Sequence, residues 1–334
     1  MDLKTLTKGK ALPLLSFPSV QLLGISVQEL ISDSNVQAKG MKAIADRVPS
    51  AASVSLMDLS VEAECFGAKI RFSDHEVPNV SGAVIDPDLD EDERMEAAEA
   101  LEVPEVGAGR TGIYIEAIRK AKELITDRPV IAGVIGPFSL AGRLVDVSSS
   151  LIYCLEEPEM LHVVLEKAAS FIISYIKAYK EVGADGVAIA EPLAGLLSPS
   201  LAEEFSGEYM KKIVDAVKSD DFTVIYHNCG NTASVITEAI TMAGCDAYHF
   251  GNAVDMKEIM EKMPPDVLCF GNIDPVGQLK DGTPESVREA VFRLLDECGG
   301  YDNFRLSSGC DIPPMAKWEN LDAFFAAAEE YYAG

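Results

Sequence analysis

Residues 223–231 read Thr223-Val224-Ile225-Tyr226-His227-Asn228-Cys229-Gly230-Asn231, a short β-branched, apolar run that ends abruptly in polar groups. A run of that length, closed by Gly and Asn, has the form of a buried strand entering a loop. Seven similar runs punctuate the chain: Leu12–Phe17, Ser53–Leu59, Val130–Ile135, Gly186–Ala190, Ala247–Phe250, Val267–Gly271 and Phe304–Ser308. Helical patterns separate most of them, at 158–183, 201–218, 232–242, 284–298 and 317–332. Eight strands interleaved with helices predict a parallel (β/α)₈ barrel of TIM type, folded as one domain. The connection after the second run, 60–127, is longer than one crossover needs. It holds an acidic stretch at 86–96, expected as a solvated loop or a docking surface, and a helix over about 111–126.

A barrel also predicts where chemistry sits, because catalytic groups in this architecture gather at the C-terminal ends of the strands. His227 and Cys229 end the fifth run, Cys310 follows the eighth, Glu191 follows the fourth and Asp58 lies near the end of the second. Residues i and i+2 of a strand point to the same side, so His227 and Cys229 can hold one ion together. One imidazole and two thiolates form a soft N/S set that suits Zn²⁺, with a fourth position left for Glu191, His249 or water. Glu191 is also a candidate proton acceptor, and Asp58 a candidate catalytic carboxylate on the same rim. Asn231 and Asn272 are candidates for orienting polar groups of a bound cofactor. His249 reads either as a satisfied core histidine or as a partner behind the ligands. Cys65, Cys154, Cys245, Cys269 and Cys298 lie in apolar or helical settings and read as packing thiols.

Composition removes several classes of function. The net charge of −26 argues against nucleic acid and anionic membrane surfaces, both of which call for a basic face. No apolar run approaches a spanning length, and Met1–Lys10 has no signal-like stretch, so a soluble cytoplasmic protein is expected. Seven scattered cysteines fit a reducing compartment.

At these motifs the chain resembles the uroporphyrinogen decarboxylase superfamily, and within it the zinc-dependent methylcobamide:coenzyme M methyltransferase branch. The resemblance is carried by Ser55–Gly67, Gly133–Phe138, Glu191–Pro199, Tyr226–Asn231, Gly271–Pro275 and Ser308–Cys310. It implies a (β/α)₈ barrel, and zinc held by His227, Cys229 and Cys310. The decarboxylases of the superfamily carry an arginine-rich N-terminal element that clamps a tetrapyrrole's carboxylates. Here the first arginine is Arg47. An octa-carboxylate substrate in so acidic a chain without that clamp is electrostatically unreasonable.

The resemblance therefore implies methyl transfer from a methyl-cobalt corrinoid to a zinc-activated thiol such as coenzyme M. The corrinoid would arrive on a partner protein, since this chain has no DxHxxG-type histidine to hold one. A sulfonate on the acceptor would want an arginine, and Arg110, Arg143 and Arg305 are the candidates. Three alternatives stand beside this reading: transfer from a methoxylated or methylamine donor onto a corrinoid protein, a decarboxylase-like activity, and a non-catalytic barrel acting as an interaction protein.

Overall fold

Seven of the eight apolar runs pair side by side in one parallel sheet. In chain order the strands are β1 (Ser53–Val54), β2 (Lys69–Arg71), β3 (Asn79–Ser81), β4 (Val130–Ile135), β5 (Gly186–Ala190), β6 (Thr223–Asn228), β7 (Ala247–Phe250), β8 (Leu268–Ile273) and β9 (Phe304–Ser308). The sheet order is β1-β4-β5-β6-β7-β8-β9, and β2 and β3 form a separate antiparallel hairpin. The computed structural model describes residues 3–334.

The eighth run, Leu12–Phe17, departs from expectation. It is not a regular strand, because Pro13 has no N–H to give a ladder. It still closes the ring between β9 and β1. The Leu12 N–H donates to the Leu306 carbonyl at 3.0 Å, and the Ala11 carbonyl accepts from the Ala51 N–H at 3.0 Å. The result is a (β/α)₈ barrel of TIM type with seven regular strands and one irregular stave.

Alternation along the strands sorts the side chains into two cores. Leu12, Ile131, Ala188, Ala190, Ile225, Ala247, Leu268 and Phe270 pack together inside the barrel. Their neighbours Val130, Ala132, Val187, Ile189, Val224, Tyr226, Tyr248 and Cys269 face outward, against the helices. Residues 225 and 247 therefore put His227 and His249 on the inner face. In β9 the outward residues are Phe304 and Leu306, which leaves Arg305 and Ser307 inward.

Three helical expectations shift. The acidic stretch is not simply a loop: Glu91–Ala100 is helical, opened by Asp90, whose side chain accepts from the Glu93 N–H while Glu93 reaches back to the Asp90 N–H. Carboxylates in that first turn face the positive end of the helix. The pattern at 201–218 resolves into Pro199–Ala202, a wide π-type turn over Glu203–Gly207, and Glu208–Val217. The pattern at 232–242 is helical only over Thr237–Met242, because the Thr232 hydroxyl is drawn instead to the Gly195 carbonyl. Helices Pro158–Glu181, Pro284–Cys298 and Trp318–Ala333 follow the sequence pattern closely. No single helix among the described residues is long and apolar enough to cross a membrane.

Candidate metal centre

The inner-face parity of β6 delivers His227, and the chain then carries Cys229 just past the strand. Cys310 arrives from the loop after β9. The ligand atoms of His227, Cys229 and Cys310 all lie within 4.8 Å of one another. His227 Nε2 stands 3.6 Å from Cys310 Sγ. Both cysteine loops depend on close backbone approach. A Cβ at Gly251 would sit 2.5 Å from the Cys229 Cα, and one at Gly309 would sit 2.6 Å from the Asn252 nitrogen. The Cys310 loop is pinned on either side by Gly309 N–H to the Ile273 carbonyl at 2.6 Å and Ile312 N–H to the Leu14 carbonyl at 3.0 Å.

The two thiols are electrostatically coupled. A hydrogen bond from Cys310 holds Cys229 below the ordinary thiol range, and the same bond, with burial, holds Cys310 well above it. The first proton to leave is therefore that of Cys229. The other five cysteines behave as packing groups: burial pushes Cys154 and Cys269 up to about 12 and Cys298 to about 11, and it raises Cys65 and Cys245 as well. A soft, converging donor set with one easily ionised thiol fits a zinc ion.

His249 lies beside His227 across the β6–β7 register. Its Nδ1 is 2.8 Å from His227 Nδ1, and its Nε2 is 2.7 Å from the Ser307 hydroxyl. Burial, with His227 as neighbour, holds its pKa well below the ordinary histidine range, so the ring is neutral. With both ring nitrogens engaged, His249 stands behind His227 and has no free nitrogen to add to the trio.

The carboxylate candidates do not join the trio. Ala190 faces the barrel interior, so Glu191 turns outward, and it is completely buried. Its carboxylate accepts from the Phe138 N–H at 2.9 Å, the Ser139 N–H at 2.6 Å and the Ser139 hydroxyl, at the N-terminus of helix Pro137–Val145. Burial raises its pKa to about 7 against those hydrogen bonds. In this arrangement Glu191 is a helix cap rather than a fourth ligand, because strand parity points it away from the mouth.

Asp58 is saturated. It accepts from the Arg110 guanidinium, from Tyr114 OH at 2.8 Å, and from Ser60 through both N–H at 3.1 Å and hydroxyl at 2.6 Å. Asn272 spends its amide on the Gly251 and Val254 carbonyls, both at 2.9 Å, and so holds the loop after β7. Asn231 is exposed on the loop beyond Cys229.

Leu14, Met57, Ala190, Pro192 and Asp311 close a cleft of about 50 Å³ around the trio. Through Met57, Leu59 and Asp311 it adjoins a cavity of about 340 Å³ lined also by His75, Arg143 and Lys280. This cavity ranks the three arginines. Arg110 is committed to Asp58 and, at 2.6 Å, to Glu64. Arg305 sits low in the barrel and donates to Thr7 and to the Lys4 and Phe304 carbonyls. Arg143 makes no ion pair among the described residues, and its buried Nε has no acceptor.

Two further groups were missed from sequence. Glu62 is buried with Oε1 accepting from the Ile135 N–H at 3.1 Å and Oε2 unpartnered, and burial raises its pKa to about 7. Asp311 is half-buried beside Cys310 with its Oδ1 enclosed and unpartnered, and desolvation first and then Cys310 raise its pKa well above the carboxylate range. For Asp311 the sequence signal was its place next to Cys310, and for Glu62 its place in the Ser55–Gly67 motif.

A (β/α)₈ barrel whose mouth gathers a His/Cys trio that could hold a metal ion has the architecture of an enzyme. The family model for uroporphyrinogen decarboxylase (URO-D) matches residues 18–331, and the chain belongs to that family. It is 33% identical over 279 residues to the methylcobamide:CoM methyltransferase MtbA of Methanosarcina acetivorans, covering 82% of this chain and 78% of that one. The uroporphyrinogen decarboxylase of Hydrogenovibrio crunogenus is 27% identical over 301 residues, covering 85% and 80%. Among solved structures, a methyltransferase from Methanosarcina mazei superposes with a TM-score of 0.84 at 26% identity, over 96% of this chain and 94% of that one. A B12-independent methionine synthase from Shewanella shares the fold, with a TM-score of 0.63 at 12% identity over 97% and 96%. Family membership makes the chain an enzyme, and the stronger similarity favours a methyltransferase over a decarboxylase.

Proposed function

We propose that this protein transfers a methyl group from a methyl-cobalt corrinoid, carried by a partner protein, to a small thiol such as coenzyme M. The observation that carries the reading is the convergence of His227 Nε2, Cys229 Sγ and Cys310 Sγ within 4.8 Å at the barrel mouth. These three residues would hold Zn²⁺, which when bound makes a coordinated thiol ionise at neutral pH. The acceptor thiol gives up its proton to solvent, its sulfur forms a bond to the methyl carbon, and the cobalt–carbon bond breaks with both electrons left on cobalt.

The chain's own residues support each part of that reaction. The cleft walls Leu14, Met57, Ala190 and Pro192 are apolar and limit water at the reacting sulfur. Arg143, unpaired in the adjoining cavity, supplies the cation that a sulfonate tail needs. Leu196, Val235, Val276 and Met315 are exposed on the loops that follow β5, β6, β8 and β9. They offer an apolar rim for the corrinoid-bearing partner.

The test mixes the zinc-loaded protein with methylcobalamin and coenzyme M under anaerobic conditions while the corrinoid spectrum is followed. Demethylation to cobalt(I), with methylated thiol as product, is the expected result. No demethylation with any small thiol, together with turnover of uroporphyrinogen, would overturn the reading in favour of decarboxylation.

A further inference from the structure

We propose that His249 and Ser307 are positioning residues for the metal centre: with the Leu12 carbonyl they hold His227 in the tautomer whose bare Nε2 faces Cys229 and Cys310. This rests on the zinc-site part of the reading above and is independent of methyl transfer.

The Leu12 carbonyl oxygen has only one possible role. A backbone carbonyl only accepts, so the single proton of the Ser307 hydroxyl goes to the Leu12 carbonyl, 2.8 Å away. With that proton committed, the Ser307 oxygen can only accept from His249 Nε2, at 2.7 Å. His249 Nε2 therefore carries the hydrogen. A neutral imidazole has one N–H, so His249 Nδ1 is bare and accepts from His227 Nδ1, at 2.8 Å. His227 thus has its hydrogen on Nδ1 and a lone pair on Nε2, the atom that stands 3.6 Å from Cys310 Sγ. The reverse polarity would strip the Leu12 carbonyl of its partner and put the hydrogen on the ligating nitrogen.

Three features make the chain of bonds a fixed device. His227, His249 and Ser307 are each at most 3% exposed, so water does not compete for these bonds. The β6–β7 register places the two histidines side by side, with ring centroids 4.7 Å apart and planes at 71°. The anchor, Leu12, lies in the irregular stave that closes the barrel, where its own N–H is already bonded to β9. Partners behind a metal ligand fix its ring orientation and raise its basicity, and their loss usually weakens metal affinity about 10- to 100-fold.

The decisive experiment has two arms on the full-length chain. The protein has four histidines, so ¹⁵N-imidazole spectra of the zinc-free protein can be assigned by single substitutions. His227 is expected as the Nδ1–H tautomer and His249 as the Nε2–H tautomer. A His227 hydrogen on Nε2 would overturn the proposal. In the second arm, zinc affinity is measured by chelator competition, with thermal unfolding of each zinc-free variant as the folding check. His249→Phe should bind zinc about 10- to 100-fold more weakly, while His249→Asn, whose oxygen can accept in place of Nδ1, should stay within about threefold of the parent. Unchanged affinity in His249→Phe would sink the proposal, and equal loss in both variants would reduce the residue to packing. A protein that binds zinc as expected yet never demethylates methylcobalamin overturns the proposed function and leaves this inference intact. A protein that takes up no zinc overturns the metal reading, and the spectra still decide the tautomers.

Discussion

The two sides of the barrel mouth are built from opposite chemistry. Around the ends of β1 and β4 stand the hard groups Asp58, Glu62, Arg110 and Arg143, of which Asp58 looks catalytic in sequence. Around β6, β7 and β9 stand His227, His249, Cys229 and Cys310. On the hard side Asp58 has its oxygens filled by Arg110, Tyr114 and Ser60, so it works as scaffold. On the soft side the hydrogen bonds run outward to Ser307 and Leu12 and leave lone pairs turned toward a common point. Polar density alone does not mark a site; the direction in which its valences remain open does.

Breaking the soft side should have the largest effect. Cys310→Ala removes one of three converging ligands, and zinc affinity should fall by at least about 100-fold, with methyl transfer lost. Chelator competition and metal analysis check this, and stoichiometric zinc in the variant would move the site elsewhere. Asp58→Ala should invert that pattern. It leaves the Arg110 guanidinium buried without its main counter-charge, at a cost of about 3–5 kcal/mol in urea denaturation, with zinc affinity retained. Loss of zinc at unchanged stability would make Asp58 part of the metal site.

Glu191→Ala sharpens the same contrast at smaller scale. As a helix cap, Glu191 should cost about 2–3 kcal/mol of stability when removed and leave zinc affinity alone. A zinc defect without a stability defect would restore it as a ligand. Arg143→Gln tests the unpaired cation on the hard side. The KM for an anionic thiol should rise about 10-fold, while that for an uncharged thiol should hold. Equal KM values for the two thiols in the variant and parent would remove Arg143 from substrate recognition.

The smallest effect concerns pH. Burial raises Glu62 to about 7 from an ordinary 4.5, so the folded state keeps its proton while the unfolded chain releases it. Its relative stabilisation is complete below about pH 4.5 and is lost as pH rises toward 7. Glu62→Gln cannot ionise, so its stability relative to the parent should climb by about 1–2 kcal/mol between pH 5 and 6.5. A flat difference across that window would mean that Glu62 is already ionised when folded.

Much of this was legible in the chain, and the failures have physical causes. The short apolar, β-branched runs located seven strands because a strand covered on both faces is apolar along its whole length. Leu12–Phe17 was misread as a regular strand because its apolar pattern is sound and only Pro13 interrupts its donors. Glu191 reads from sequence as a candidate ligand or proton acceptor because it sits at a strand end, which does not say which face it presents. Continuing the alternation from Ala188 and Ala190 would have sent it outward. His249 was left with two readings because its partners, Ser307 and Leu12, lie 58 and 237 positions away in sequence.

By itself, then, the sequence determined the residue types of the soft trio, their appearance at strand ends, and the barrel that brings those ends to one rim. These follow from local pattern and side-chain chemistry. Only the tertiary structure decided which polar groups remain open at that rim. Hydrogen-bond saturation depends on partners far apart in the chain, and on which face of each strand the register presents.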